Sequence, residues 1–299
     1  MAETGLTWMS ATEALKLFKA KKLSPVEMMD AAIKRAKKVM PKLNPFSNLH
    51  FKEARAKAKA AEARYARGEE TGALEGLPLV VKEEATIAGL TATSGSLPLK
   101  DNIADETLAI VERCFDAGAI MHARTTTPEF SAAVITHTKL WGVTRNPWNT
   151  DYTPGGSSGG TAASVAAGVA PIGTGSDIGG SIRVPASTCG LVGFKPPYGR
   201  NPEGRIFNLD HFAVEGPLAR SIADCVLLQN VMSGPHPRDI ASLRPKLTLP
   251  TTFKSVRGMK IALSMDLGFI RVSKEVQKNT MDAVAKLHDA GAIVEEVDL

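Results

Sequence analysis

Two stretches of this 299-residue sequence place serine among glycines in a way that could do chemistry. Residues 152–168 read YTPGGSSGGTAASVAAG, and residues 173–199 read GTGSDIGGSIRVPASTCGLVGFKPPYG. Glycines at 179 and 180 free the backbone, so successive N–H groups can converge on one small concavity of the kind that holds an oxyanion. Ser181 at its rim is placed to attack the carbonyl whose oxygen that concavity accepts. A serine hydroxyl is a poor nucleophile without a base. Upstream the apolar run LPLVVK ends in Lys82, and a lysine closing a buried strand needs explaining. Burial at the end of such a strand disfavours the charged form of an amine.

Other readings of the Gly-Ser segment fit less well. A flexible linker would not run directly into the apolar helix TAASVAAG. A phosphate loop needs lysine after its last glycine, and position 161 is Thr. Gly155-Gly156-Ser157-Ser158-Gly159 satisfies the G-x-S-x-G nucleophile elbow literally, with His211 beside Asp210 as a distant base. That motif requires a strand turning sharply into a helix, and the preceding VTRNPWNTDYTP has two prolines and little alternation. A dispersed site, of which the segment is one part, remains beside these.

The elements that must position these groups alternate. SATEALKLFKAKK and SPVEMMDAAIKRAKKVM each open with Ser and place Glu three residues later, and Pro25 stands at a first helical position. A third helix, FKEARAKAKAAEARYARG, ends at Gly68. LPLVVK reads as a strand, followed by helix DETLAIVERCFDAG, strand AIMHAR, helix TPEFSAAV, helix TAASVAAG and strand APIGTG. Beyond them come strand LVGFK, helix SIADCVLLQNVMSG, strand MKIALS, helix SKEVQKNTMDAVAKLHDAG and strand AIVEEVDL. Such alternation predicts an α/β fold with a parallel or mixed sheet covered by helices.

Composition narrows the function. With 43% apolar residues the chain can bury a substantial core. Net charge is +5, but the basic residues of Lys16 to Arg67 alternate with Glu and Ala and have only Phe18, Phe46, Phe51 and Tyr65 as aromatics among them, which predicts a solvated helix face and no nucleic-acid partner. Cys114, Cys189 and Cys225 are too few and scattered for a disulfide framework or a zinc site, so a reduced cytoplasmic setting and no metal are expected. The N-terminus lacks the basic start and apolar stretch of a signal peptide, and no run is long enough to span a membrane.

PGGSSGG, then GSDIGGSIRVPASTCGLVGFKPPYG, with an upstream strand ending in lysine, closely resembles the amidase signature family. The likeness extends through GLPLVVK, TRNPW and GPLARSIAD, across residues 75 to 230. It implies a central mixed β-sheet flanked by helices on both faces, with residues 1–70 a helical segment on a core of 71–299 in one structural domain. It also implies a Ser–Ser–Lys triad: Ser181 as nucleophile, Ser157 as bridging serine in a cis peptide and Lys82 as base. Ile178, Gly179, Gly180 and Ser181 would supply oxyanion N–H groups. Asp177 and Arg183 would pair to hold the nucleophile turn, and Ser158 and Ser176 would hydrogen-bond the lysine and bridging serine, though capping for Ser158 and a surface charge for Arg183 read equally well.

The implied activity is cofactor-free hydrolysis of C–N amide bonds, extending to esters or carbamates (urethanes), on a small-molecule substrate. The alternatives are an amidotransferase-like glutaminase subunit working with a partner, and an α/β-hydrolase-type serine hydrolase. A homodimer is compatible with either enzyme. LPLKDNIADE and RIFNLDHFAV are candidate pocket loops, with Phe207 and Phe212 toward the substrate. Two departures stand out: Glu83 and Glu84 follow the lysine where the family has Asp and then a polar residue, and family members continue beyond residue 299, so the C-terminal part of the usual domain is expected to be missing.

Overall fold

A computed structural model describes residues 3–204 and 208–299 of the chain. The polypeptide divides into two compact units, residues 1–249 and 250–299. In the larger unit the elements run α1 (Glu3–Trp8), α2 (Ala11–Lys19), α3 (Pro25–Leu43), β1 (Phe46–Leu49), α4 (Phe51–Arg67), β2 (Pro78–Lys82), α5 (Ala109–Asp116) and β3 (Ile120–Thr125). They continue through β4 (His137–Thr138), β5 (Gly142–Val143), α6 (Gly159–Ala166), β6 (Ile172–Ser176), α7 (Arg183–Cys189), β7 (Val192–Gly193), β8 (Glu215–Ala219) and α8 (Ile222–Met232). The smaller unit is a βαβ arrangement in which β9 (Lys260–Leu263) pairs in parallel with β10 (Ile293–Glu296), connected through α9 (Lys274–Asp289).

The main sheet is mixed, in the order β1-β3-β2-β6-β8-β7. Strands β3, β2 and β6 are parallel, and β1, β8 and β7 close the sheet by antiparallel pairing. Strand β2 is buried along its whole length, and its alternation decides which way each side chain faces. Leu79 and Val81 pack with Phe18 of α2, Ile110 of α5 and Leu228 of α8. Val80 joins the opposite cluster with Val39 of α3 and Val165 of α6. Both faces of the sheet are therefore covered by helices. The same alternation carries Lys82 to the α6 side, where Ser157 and Ser158 lie just before that helix.

The helix caps follow the sequence signals. Ser10 Oγ accepts from Glu13 N at 3.1 Å, and Ser24 and Glu27 exchange a capping box at the start of α3. Gly68 ends α4 at φ +71°, a left-handed conformation that glycine takes without Cβ strain. Several elements depart from expectation, the unanticipated α7, β4 and β5 among them. TPEFSAAV forms only a 3₁₀ turn, Glu129–Ser131, because Phe130 and Ser131 take positive φ. LVGFK reduces to Val192–Gly193. Strands β1 and β8 were not anticipated, and β8 carries Pro217, which offers no N–H to a ladder.

Candidate active site

Lys82 is 1% exposed, so a charged or neutral amine there must find its partners within the protein. Its Nζ lies 2.7 Å from Ser157 Oγ, 2.7 Å from Ser176 Oγ and 2.6 Å from Glu84 Oε2. Three acceptors match the three N–H donors of an ammonium. Ser176 Oγ in turn donates to the same Glu84 oxygen. Burial opposes ionisation of Glu84, but Lys82 and Ser176 outweigh it and hold the carboxyl below its ordinary value. Glu83 points away from the site: its Oε1 accepts from Thr93 N at 2.6 Å, and its carbonyl takes a hydrogen bond from buried Arg124.

The segment carrying Ser157 is fixed from both sides. Asn146 of TRNPW donates to the carbonyls of Thr153 and Thr188, Thr136 Oγ1 donates to Gly155 O, and Thr188 Oγ1 donates to Pro154 O. The Gly156–Ser157 peptide bond is cis. A Cβ on Gly156 would stand 2.6 Å from Ala133 O and 2.8 Å from Ile135 N, so the close approach of these backbones requires glycine. Ser158 occupies the N-cap position of α6 without a side-chain cap bond, and its Oγ donates at 3.4 Å to Ser176 O. It touches neither the lysine nor the bridging serine through a hydrogen bond among the described residues. Ser176 does contact the lysine.

The second serine turn is built around Asp177. Its carboxylate accepts from Gly180 N at 2.8 Å, Ile182 N at 3.1 Å and Arg183 N at 3.2 Å, and Arg183 closes a two-pronged pair at 2.9 Å per prong. Burial opposes the charge, yet Arg183 and these N–H groups hold Asp177 well below the usual carboxylate range. Lys195, which sequence reading passed over, adds a second brace: its Nζ donates to Asp177 Oδ1 at 3.2 Å and to the carbonyls of Asp177, Ile178 and Phe212. A lone lysine after a short strand gives no signal of that role in the sequence.

Among the four expected oxyanion donors, the Gly180 N–H is already committed to Asp177. The N–H groups of Ile178, Gly179 and Ser181 have no hydrogen-bond acceptor among the described residues. Gly180 lies at φ +130°, where a side chain would be strained. Ser158 N donates to Ser181 O at 3.1 Å, tying the two serine turns together. Ser181 Oγ makes no hydrogen bond among the described residues.

Ser157, Ser176, Ile178 and Ser181 all line one cavity of about 530 Å³. Glu84, Asp105 and Glu106 also face it, the last two from the expected loop LPLKDNIADE. Phe207 lies outside the described residues, and Phe212 is absent from the cavity wall among them, where Phe130 stands instead. His211 packs edge-on against Tyr198 rather than meeting a serine. Ser157 is fully buried and bonded to lysine, so the nucleophile-elbow reading, which needs an exposed serine with a histidine base, loses both parts. The three cysteines are free and buried, with burial pushing each thiol up to about 12, which leaves them inert. Among the described residues no helix is long and apolar enough to cross a membrane.

Known proteins resemble this chain over most of its length. The family model Amidase matches residues 27–299. An acylamidase from Rhodococcus erythropolis is 36% identical over 302 residues, covering 99% of this chain and 63% of that protein. A glutamyl-tRNA(Gln) amidotransferase component from Carboxydothermus hydrogenoformans is 36% identical over 297 residues, covering 98% of this chain and 61% of its own length. The crystal structure of a bacterial aryl acylamidase of the amidase signature enzymes superposes with a TM-score of 0.92 at 36% identity, over 97% of this chain and 61% of that one. The chain thus spans less than two thirds of the length of these relatives. With two serine turns and a buried lysine on the fold they share, the chain belongs to the amidase signature family.

Proposed function

We propose that the chain carries the catalytic centre of an amidohydrolase that cleaves non-peptide C–N bonds through an acyl-enzyme. The observation that supports this most strongly is the 2.7 Å contact of buried Lys82 Nζ with Ser157 Oγ, at the wall of the cavity that Ser181 also faces. In the resting site Lys82 and Glu84 form an ion pair. Transfer of one proton from Nζ to Glu84 Oε2 leaves a neutral amine and a carboxylic acid, and the amine then has a lone pair directed at Ser157.

As the substrate carbonyl settles over Ser181, Ser181 Oγ attacks the carbon and its proton passes to Ser157 Oγ, while the Ser157 proton passes to Lys82. Catalytic hydrogen bonds commonly tighten only in the substrate complex, which accounts for a Ser181 hydroxyl without a partner here. The N–H groups of Ile178, Gly179 and Ser181 take the developing oxyanion, each such donor being worth about 3 to 4 kcal/mol in comparable sites. Gly180 acts through Asp177, holding the turn open. The proton then returns by way of Ser157 to the leaving nitrogen, the C–N bond breaks, and water hydrolyses the ester by the same relay. Esters and carbamates present the same carbonyl.

The three free, buried cysteines suit a reducing, cytoplasmic setting. Turnover of short-chain acyl anilides tests the reading. The unmodified chain releases aniline and Ser181→Ala lowers the rate at least about a thousandfold. Release only when a partner protein is added, and only from glutamine or asparagine, would transfer the chain to the amidotransferase reading.

A further inference from the structure

The cavity beside Ser181 holds more carboxyl groups than amide hydrolysis uses. Glu84 is engaged by Lys82 and Ser176, and Glu106 pairs with Arg238 at 3.2 Å. Glu203 and Glu215 are different. Glu215 heads β8, is 3% exposed and lines the cavity, yet its Oε2 has no hydrogen-bond partner among the described residues. Glu203 Oε2, on the same wall, is likewise buried and unpartnered among them, while its Oε1 accepts from Gly204 N at 3.3 Å. Buried carboxyl oxygens are normally satisfied, so two on residues that line one cavity call for a donor that arrives with a ligand.

The remaining wall says what kind of ligand. Leu108, Phe130, Ile178, Ala213 and Val214 give it an apolar surface suited to methylenes. Resting on the hydrolase reading above, we propose that Glu203 and Glu215 form a subsite for a primary ammonium, so that the preferred substrate is an amide of an ω-amino acid with a short alkyl spacer.

Electrostatics agree with that assignment. Burial pushes Glu203 up to about 7, opposed by the Gly204 N–H bond and assisted by the charges of Glu84 and Asp239, with Lys82 acting the other way. Burial, Glu203 and Glu84 push Glu215 well above the usual carboxylate range, again against Lys82. On its own Glu203 therefore keeps its proton up to near neutrality, and Glu215 is biased in the same direction. A ligand ammonium takes the place of those protons, and each displaced proton leaves to the buffer, so binding strengthens as pH rises through 7.

The test is calorimetric binding of 5-aminopentanamide and its neutral isostere hexanamide to the whole chain carrying Ser181→Ala, at pH 6 and pH 8. The amino amide is expected to bind at least about tenfold more tightly at pH 8, by less at pH 6, and to release protons in buffers of different ionisation heat. In the isosteric Glu203→Gln/Glu215→Gln background, with the melting transition as a check on folding, the two amides bind equally. Equal affinity before those changes, a preference that survives them, or no measurable binding of either amide overturns the proposal. Fluorophosphonate labelling of Ser181 in the unmutated chain reports on the hydrolase reading separately. A labelled chain without ammonium preference rejects only the subsite, and an unlabelled chain with the preference rejects only the hydrolase.

Discussion

Lys82 meets three oxygens at once, and the third, Glu84, sets the chemical question at the scale of single residues. A neighbouring carboxylate favours an ammonium, whereas a base must be an amine. Glu84→Gln keeps a polar partner and removes the group that takes the Nζ proton in the proposed path, so it should lower kcat on an acyl anilide at least about tenfold; an unchanged rate would remove Glu84 from the proton path. Ser157→Ala breaks the relay and leaves Lys82 two of its three partners. It should lower kcat at least about a thousandfold with little change in KM, as measured on an acyl anilide. The residues of this centre were legible in the sequence because glycine turns and a lysine closing an apolar run are local signals. Glu84 as the lysine's partner and Lys195 as a brace were not, since both contacts depend on how distant segments meet.

At the scale of elements, the alternation of β2 does the positioning: Val80 and Lys82 share a face, and that face looks at the start of α6. Leu79→Ala, on the opposite face among α2, α5 and α8, should cost about 2 to 5 kcal/mol of stability by urea unfolding while leaving the geometry of the lysine intact. Gly156→Ala brings a Cβ against the backbone of residues 133–135, so it should cost both activity and stability; wild-type turnover with an unchanged melting transition would show the close approach to be dispensable. Helices with capped starts and the buried strand β2 were readable from pattern alone. Strand β8 was hidden by Pro217 within EGPLA, and the expected helix TPEFSAAV was overruled by positive φ at Phe130, which turns that segment toward the cavity instead.

Across the whole molecule, a net charge of +5 coexists with a cavity walled by carboxyl groups, so overall charge says little about the site. Stability should respond to pH through buried groups of opposite sign, His122 and Glu203 among them. Burial lowers His122 to about 4, so its contribution is present above pH 6.5 and is lost as pH falls toward 4, amounting to about 3 kcal/mol. Glu203 is raised to about 7, so its contribution is present below pH 4.5 and is lost as pH rises through 7. Urea unfolding across pH 4 to 8 should therefore flatten on the acid side in His122→Phe and on the neutral side in Glu203→Gln, and unchanged slopes would contradict these assignments. The central claim, that Lys82 activates Ser181 through Ser157, is tested most directly by fluorophosphonate labelling with peptide mass mapping. The chain, Ser157→Ala and the charge-neutral pair Lys82→Met/Glu84→Gln would be compared. The account predicts label on Ser181 in the unmodified chain and at least about tenfold slower labelling in both variants; label on Ser157 or Ser158, or equal rates in all three, would contradict it.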